Sequence, residues 1–152
     1  MSKIFSSLAI IIGRRNYGEA DRILTIFTED RGKIVVMAKG VRLGRSKRRG
    51  HIELFNTIKA QVVESRGFPV LAQTELIADR SSMKSDIKLL RIAYHLAELV
   101  SRLTPDNEKH REIFDLLNRA FSSISLKVWD KEAYLSEKFE EKLLHLLGYG
   151  TP

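Results

Sequence analysis

Cysteine is absent from this chain of 152 residues. The sequence therefore has no disulfide framework, no thiol nucleophile and no zinc site built on thiolates, which fits a reducing cytosol. Long apolar runs are missing too. The run near the N-terminus covers only residues 8–12, and no small-residue cleavage site follows it. We expect neither a signal peptide nor a bilayer-spanning helix of roughly 20 apolar residues.

Signatures of catalysis are also missing. The histidines His51, His95, His110 and His145 lie far apart, and none forms the H-E-x-x-H pair of a zinc-binding helix. Neither a G-x-S-x-G elbow nor a G-x-x-x-x-G-K-[ST] phosphate loop occurs. Clustered carboxylates for the metal ions of phosphoryl chemistry are lacking. We therefore expect a protein that is not an enzyme and uses no cofactor, metal ion or small-molecule substrate.

Positive charge is what the sequence has in excess. The chain holds 26 Lys and Arg against 19 Asp and Glu, a net charge of +7. Residues 1–80 carry 15 basic and 8 acidic side chains, whereas residues 81–152 carry 11 of each. A solubilising charge would be spread more evenly, so this segregation indicates a binding face. No basic amphipathic helix offers itself to an acidic membrane surface, so we expect no membrane partner.

The densest cationic stretch is residues 39–50, with six Lys and Arg and no acid. Gly40, Gly44 and Gly50 interrupt it, which argues against a good helix or a regular strand. We interpret residues 39–42 as a fixed continuation of a strand and residues 43–50 as a flexible cationic arm. Such a loop suits a polyanion, and nucleic acid is the obvious one.

The first half of the chain has the pattern of short strands. Runs rich in Ile, Val, Thr and Phe lie between turn signals such as N-Y-G-E-A and E-D-R-G. Gly32 would supply the positive φ of the hairpin turn at residues 29–32. The pattern predicts five strands, at residues 8–13, 23–28, 33–38, 52–65 and 70–77.

The second half changes to a helical period, with apolar residues at i, i+3, i+4 and i+7 in three stretches. We predict that the first helix begins at Ser85 or Asp86 as its N-cap. The second starts near Pro105. The third is capped by Asp130 and stopped by Gly148. No linker rich in Pro, Gly or Ser separates the halves, so they should pack together.

These patterns predict an α+β fold with two domains. Residues 1–80 would form a five-stranded OB-fold barrel, and residues 81–152 a small three-helix domain. Barrels of this type bind oligonucleotides on one face and with the loops that edge it. Fold and charge thus favour the same ligand.

The candidate DNA-binding residues are cations and one ring. Arg14 and Arg15 end the first predicted strand and Lys39 ends the third, so these charges would meet if the two strands are neighbours. Tyr17 is the best-placed ring for base stacking, ahead of Phe68, although it could instead pack over the barrel end. The alternative for the loop cations is a run of solvated charges without a defined site. Charge alone selects Arg14, Arg15, Lys39, Arg42, Arg45, Lys47, Arg48 and Arg49.

Residues 13–42, with the runs Y-G-E-A-D-R-I-L and A-K-G-V-R, resemble the N-terminal domain of the RecO family of bacterial recombination mediators. The run G-F-P-V-L-A-Q-T-E-L at residues 67–76 and K-L-L-H-L-L-G-Y-G at residues 142–150 agree in order, so the resemblance spans the chain. The family's DNA contacts carry over to the matching Arg14, Arg15, Tyr17, Arg22, Lys39 and Arg42.

The resemblance implies an OB-fold followed by helices, and a protein of the bacterial cytoplasm associated with the nucleoid. It implies binding of single- and double-stranded DNA, annealing of complementary strands, and loading of recombinase with RecR onto strands coated by single-stranded DNA-binding protein (SSB). In some members the helical domain binds the acidic SSB tail. Family members usually continue past L-G-Y-G through a cysteine-bearing zinc module, so we expect either a naturally short form or a truncated one without that extension.

Two other functions stay open on the residues alone. One is RNA binding by the barrel, since nothing in the sequence reads the 2′-hydroxyl. The other is an interaction module with secondary DNA binding. Its helical half would hold an acidic peptide in an apolar groove flanked by cations such as Lys88, Arg91 or Arg102.

Overall fold

The computed structural model describes residues 3–44, 46, 48–127 and 132–149. The strands are β1 Ile4–Tyr17, β2 Asp21–Thr28, β3 Gly32–Ala38, β4 Thr57–Val63 and β5 Val70–Ala78. The helices are α1 Arg48–His51, α2 Ile87–Leu103, α3 Arg111–Ser125 and α4 Glu132–Leu146, with a 3-10 helix at Ser81–Ser85. The α+β class, with strands first and helices after, is the one that the sequence predicts.

The five strands close into a barrel in the order β1-β2-β3-β5-β4. The long β1 serves two neighbours, because its first part pairs antiparallel with β4 and its second part with β2. A bulge at Ile12 shifts the register within the β1–β2 pairing and bends the strand. β3 and β5 meet at a narrow parallel seam, where Met37 pairs with Val70 and the Met37 N–H donates to the Pro69 carbonyl at 2.8 Å.

Both faces of β1 are buried, which explains its unbroken apolar run. Successive side chains of a strand point to opposite faces. Ala9 and Ile11 belong to the barrel core, whereas Ile10 and Ile12 belong to a second core shared with the helices. Phe27 of β2 also joins that second core. The barrel and the helices therefore pack on one another, as the missing linker predicts.

The helix signals of the sequence are confirmed in part. The Asp86 Oδ1 accepts from the Lys88 N–H at 3.0 Å and caps α2. After α4, Gly148 has a φ of 90°, its N–H donates to the His145 carbonyl, and the Tyr149 N–H donates to the Leu144 carbonyl. These two bonds form a Schellman motif. The predicted cap Asp130 lies outside the described residues.

Three predicted boundaries are wrong. β1 continues to Tyr17, which pairs with Asp21, so Asn16 and Tyr17 lie in the β1–β2 ladder and the turn is limited to residues 18–20. β4 starts at Thr57 and not at residue 52, because Phe55 has a φ of 75° and reverses the chain. α3 starts at Arg111 and not near Pro105, because the preceding loop runs along the β2–β3 hairpin.

That hairpin packs closely against the α2–α3 loop. The Asn107 N–H donates to the Lys33 carbonyl at 2.8 Å, and the Lys33 Nζ donates to the Ser101 carbonyl. Gly32 has the predicted positive φ, 71°. A Cβ on it would lie 1.9 Å from the Glu108 carbonyl oxygen. Gly32 is therefore needed both for the turn and for the close approach of the helical half.

A second contact between the barrel and the helices is made by a buried arginine, Arg80, that sequence reasoning missed. Arg80 is 3% exposed. Its Nη1 donates to the Phe55 carbonyl at 2.7 Å and to Thr57 Oγ1 at 2.6 Å. Its Nη2 donates to Asn118 Oδ1 at 2.9 Å and to Ser122 Oγ at 3.0 Å. Burial lowers the pKa of Arg80 to about 10, so it stays charged at neutral pH and neutral oxygens of both halves satisfy it.

Candidate nucleic-acid interface

The ends of β1 and β3 and the start of β2 meet at one end of the barrel. β1 and β3 both flank β2, so they are not direct neighbours. Arg14 lies opposite Leu24, and Arg22 lies opposite Ala38. Leu24 and Ala38 belong to the barrel core, and directly opposite residues share a face. Arg14 and Arg22 therefore project on the interior side, at this end of the barrel.

Five side chains form a charged group here, which we call the rim cluster: Arg14, Arg22, Arg42, Arg49 and Glu53. Burial lowers the pKa of Arg22, and the positive charges of Arg14, Arg49 and Arg42 lower it further. The charge of Glu53 acts in the opposite direction, but the pKa remains below the ordinary value. Arg22 therefore lies in a positive potential that its one acidic neighbour does not cancel.

Glu53 is the carboxylate of the rim cluster, and sequence reasoning missed it. Its Oε2 accepts from Arg14 Nη1 at 2.8 Å and from Lys84 Nζ at 2.9 Å. Burial alone would raise the pKa of Glu53. The Lys84 hydrogen bond and the charges of Arg14, Lys84 and Arg22 outweigh it and lower the pKa below 4.5. One oxygen thus holds a cation from each half of the protein.

Arg22 has an unsatisfied donor. Its Nε donates weakly to Asn16 Oδ1 at 3.4 Å. Its Nη1 is buried and has no hydrogen-bond partner among the described residues. Buried polar atoms are normally satisfied, so this N–H still requires an acceptor that the described residues do not supply.

Arg48 and Arg49 are not the flexible arm that the glycines suggest. They lie on the helical turn α1, where Arg48 Nη1 donates to the Leu71 carbonyl at 2.7 Å and its Nη2 to the Lys39 carbonyl at 2.9 Å. Arg49 Nε donates to the Val41 carbonyl at 3.1 Å. Hydrogen bonds to backbone carbonyls elsewhere in the chain fix these side chains, although the local sequence with its glycines favours no regular structure. Arg45 and Lys47 lie outside the described residues.

The turn after β3 is docked on the β1–β2 turn. The Gly40 N–H donates to Asp21 Oδ1 at 2.8 Å. The Arg42 N–H donates to the Ala20 carbonyl at 2.9 Å, and Arg42 Nη1 donates to the Gly18 carbonyl at 2.7 Å. The fixed geometry expected for residues 39–42 is therefore present, and it places Arg42 in the rim cluster. The expected continuation of the strand is wrong, because β3 ends at Ala38 and residues 39–42 form a turn.

Arg15, Lys39 and Tyr17 are the exposed candidates at this end. No hydrogen bond or ion pair links the Arg15 or Lys39 side chain to the part of the chain that the structure describes. Tyr17 is 50% exposed, so half of its surface is open to a ligand. Phe68 is 41% exposed. It lies next to Pro69, whose carbonyl accepts a hydrogen bond from the Met37 N–H of β3. The barrel end thus combines cations with accessible rings.

Comparison with known families decides what this chain is related to. The family model described as "Recombination protein O N terminal" matches residues 1–80, and "Recombination protein O C terminal" matches residues 84–152. The chain belongs to the RecO family. The resemblance of the sequence motifs to RecO is confirmed over both halves.

Curated RecO relatives match nearly the whole chain. The DNA repair protein RecO of Heliobacterium modesticaldum is 32% identical over 147 residues, covering 97% of this chain and 52% of that protein. The DNA repair protein RecO of Pelotomaculum thermopropionicum is 30% identical over 147 residues, covering 97% and 56%. The chain thus spans about half the length of these relatives. Their names give the RecO family a role in DNA repair and recombination.

Two absences can be stated for the part of the chain that the structure describes. No helix within the described ranges is long and apolar enough to cross a membrane. Over the same residues, no group of three or more His, Asp or Glu side chains is arranged to hold a metal ion.

Proposed function

We propose that this chain binds single- and double-stranded DNA and anneals complementary strands, without enzymatic activity, in the bacterial cytoplasm at the nucleoid. The barrel half, residues 1–80, would carry the DNA contacts, and residues 81–152 would form the helical domain. The observation that carries the proposal is the rim cluster, where four arginines and Glu53 lie at one end of the barrel and a buried Arg22 N–H has no hydrogen-bond partner among the described residues.

Annealing follows from phosphate neutralisation. Two complementary strands repel one another through their phosphates, and guanidinium groups at the barrel end would lower that repulsion so that bases can pair. Arg15 and Lys39 add exposed charge next to the rim cluster, and Tyr17 adds a ring on which an unpaired base could stack. Each phosphate contact would release condensed counterions and make binding salt-dependent.

Binding of a fluorescent thymidine oligonucleotide, followed by anisotropy from 50 to 300 mM salt, tests the proposal. We expect log affinity to fall linearly with log salt, with a slope of about −0.7 for each phosphate contact on a single strand. The rate of annealing of two complementary oligonucleotides should fall over the same range. An affinity that does not change with salt would contradict phosphate neutralisation.

We further propose that the chain helps to load recombinase together with RecR and SSB, as the family resemblance implies. A groove of about 720 Å³ between α3 and α4 is the candidate site for the acidic tail. Leu116 and Leu146 offer partly exposed apolar surface there. The cations Arg119 and Lys142 line it together with the acids Glu112, Asp115 and Glu141. Titration with a peptide copy of the SSB tail tests this contact. Arg119→Gln with Lys142→Gln should weaken it, and unchanged binding would place the tail elsewhere.

DNA is preferred over RNA here because the family is one of DNA repair. The described residues of the barrel offer no feature that distinguishes the two sugars. Competition between DNA and RNA oligonucleotides of the same sequence and length decides the question. Tighter binding of the RNA would favour the RNA-binding alternative.

A further inference from the structure

The rim cluster is continuous with the helical half. Lys84, in the 3-10 helix before α2, donates to the same Glu53 oxygen as Arg14. A cation that follows the barrel in sequence therefore lies beside the cations of the barrel end. α2 begins three residues after Lys84, at Ile87, so its first turns start next to the rim cluster.

An aromatic pair extends this continuity along α2. The Phe55 N–H donates to the Ile11 carbonyl at 2.8 Å, which fixes Phe55 beside β1, two residues after Glu53. Its ring is buried and meets the Tyr94 ring edge to face, with centroids 5.1 Å apart and planes at 87°. Tyr94 itself is 51% exposed. The buried Phe55 ring thus packs against one side of the Tyr94 ring, and the other side of Tyr94 is open to solvent.

The outer side of the first two turns of α2 is cationic and carries exposed apolar surface. Lys88 and Arg91 are exposed, and no hydrogen bond or ion pair joins their side chains to any described residue. Ile87, 61% exposed, lies two helical turns from Tyr94 on the same side. The acid in this stretch, Asp86, is occupied in capping the helix. Positions i, i+4 and i+7 therefore place Arg91 between Ile87 and Tyr94.

We propose that the DNA surface continues from the rim cluster across Lys84 onto this side of α2, where Tyr94 stacks on an unpaired base and Lys88 and Arg91 contact phosphates. The inference rests on the proposed DNA binding and names the path that a single strand takes. Alternating rings and cations suit a strand whose bases and phosphates are both accessible. Continuity with the rim cluster favours DNA over a separate acidic peptide as the occupant.

Tyr94→Ala tests the stacking contact. We expect affinity for a thymidine oligonucleotide to fall between about fivefold and about a hundredfold, with an unchanged salt slope because no charge is removed. Tyr94→Phe should bind like the unmodified chain, since the ring remains. Tyr149→Ala is the matched control, because Tyr149 is 65% exposed at the far end of α4. Equal affinities of Tyr94→Ala and Tyr149→Ala would overturn the stacking role.

A charge variant tests the path without altering the ring. Lys88→Gln with Arg91→Gln should reduce the magnitude of the salt slope by about 1.4, two phosphate contacts on a single strand. Lys109→Gln with Lys127→Gln removes the same charge from exposed positions elsewhere and should leave the slope unchanged. Equal losses in both double variants would show a general charge effect and overturn the inference.

Two further outcomes separate this inference from the proposed function. If the unmodified chain binds the oligonucleotide but neither α2 variant changes binding, the proposed function stands and the path over α2 is wrong. If the unmodified chain binds no oligonucleotide, both fail. Weaker binding of an acidic peptide to the Lys88 and Arg91 double variant, with unchanged oligonucleotide affinity, would assign this side of α2 to a peptide instead.

Discussion

At the residue scale, Glu53 occupies the place that a phosphate would favour. Its Oε2 bonds Arg14 and Lys84, and its charge is the attractive influence on Arg22. A carboxylate held by cations keeps them in position while no ligand is bound. It also competes with any phosphate for the same donors. Glu53 therefore sets a balance between order in the free protein and affinity for DNA.

Glu53→Gln should shift that balance. With its negative charge gone, we expect oligonucleotide affinity at 100 mM salt to rise severalfold, on the order of what one removed repulsive charge contributes. Glu140→Gln, an exposed α4 position, is the control for the change in net charge. Anisotropy titration measures both. An affinity that falls in Glu53→Gln would show that Glu53 only positions Arg14 and Lys84.

The same substitution should change the response to acid. The folded-state pKa of Glu53 is lowered below 4.5. Its contribution to stability is therefore complete above the unfolded-state pKa and is lost as the pH falls through the lower folded-state value. Urea unfolding at pH 7 and at pH 3 should show a smaller loss of stability in Glu53→Gln than in the unmodified chain. Equal losses would mean that Glu53 is not stabilised by its neighbours.

At the scale of elements, the helical turn α1 closes the barrel. The β3–β5 seam is narrow, with Met37 paired to Val70. Arg48 spans it, because its guanidinium bonds the Lys39 carbonyl after β3 and the Leu71 carbonyl of β5. The strands and their turns follow from local patterns, since alternation and turn residues act within a few positions. The role of Arg48 depends on a residue 23 positions away and could not be predicted locally.

Two sets of substitutions separate a cation that stabilises the fold from cations that contact the ligand. Arg48→Ala should lower the free energy of unfolding by about 1.5–3 kcal/mol, the worth of hydrogen bonds from a charged donor. It should change the DNA affinity of the folded protein little. Arg15→Gln with Lys39→Gln should do the opposite, leaving stability unchanged and reducing the salt slope by about 1.4. Urea unfolding and anisotropy measure the two effects. A stable Arg48→Ala variant with reduced salt slope would make Arg48 a phosphate contact.

At the scale of the whole molecule, Arg80 and the β2–β3 hairpin join the two halves. Arg80 is buried with neutral acceptors from the loop before β4, from β4 and from α3. Gly32 lets the α2–α3 loop approach the hairpin. Since Lys84 and α2 follow directly, the same junction sets the position of α2 relative to the rim cluster. The proposed DNA path therefore depends on how the halves are joined.

Arg80→Ala should destabilise the chain by about 3 kcal/mol or more, because it leaves several buried oxygens without donors. Arg80→Lys should recover only part of the loss, because an ammonium group donates from one point and cannot reach all the acceptors of the planar guanidinium. Arg66→Ala, at an exposed turn position, is the control. Urea unfolding followed by circular dichroism measures all three. A loss below about 1 kcal/mol in Arg80→Ala would mean that water satisfies the junction.

The sequence by itself determined the α+β class, the barrel strands, the apolar sides of α2 and α3, and the family. These depend on periodicity, turn residues and motifs that act over short distances along the chain. The tertiary structure alone decided which cations are available to a ligand. Arg14 meets Glu53 across 39 positions, and Arg80 meets Asn118 across 38. A side chain's partner is set by packing between distant elements, so composition could find the basic region but could not divide it into exposed and internally bonded arginines.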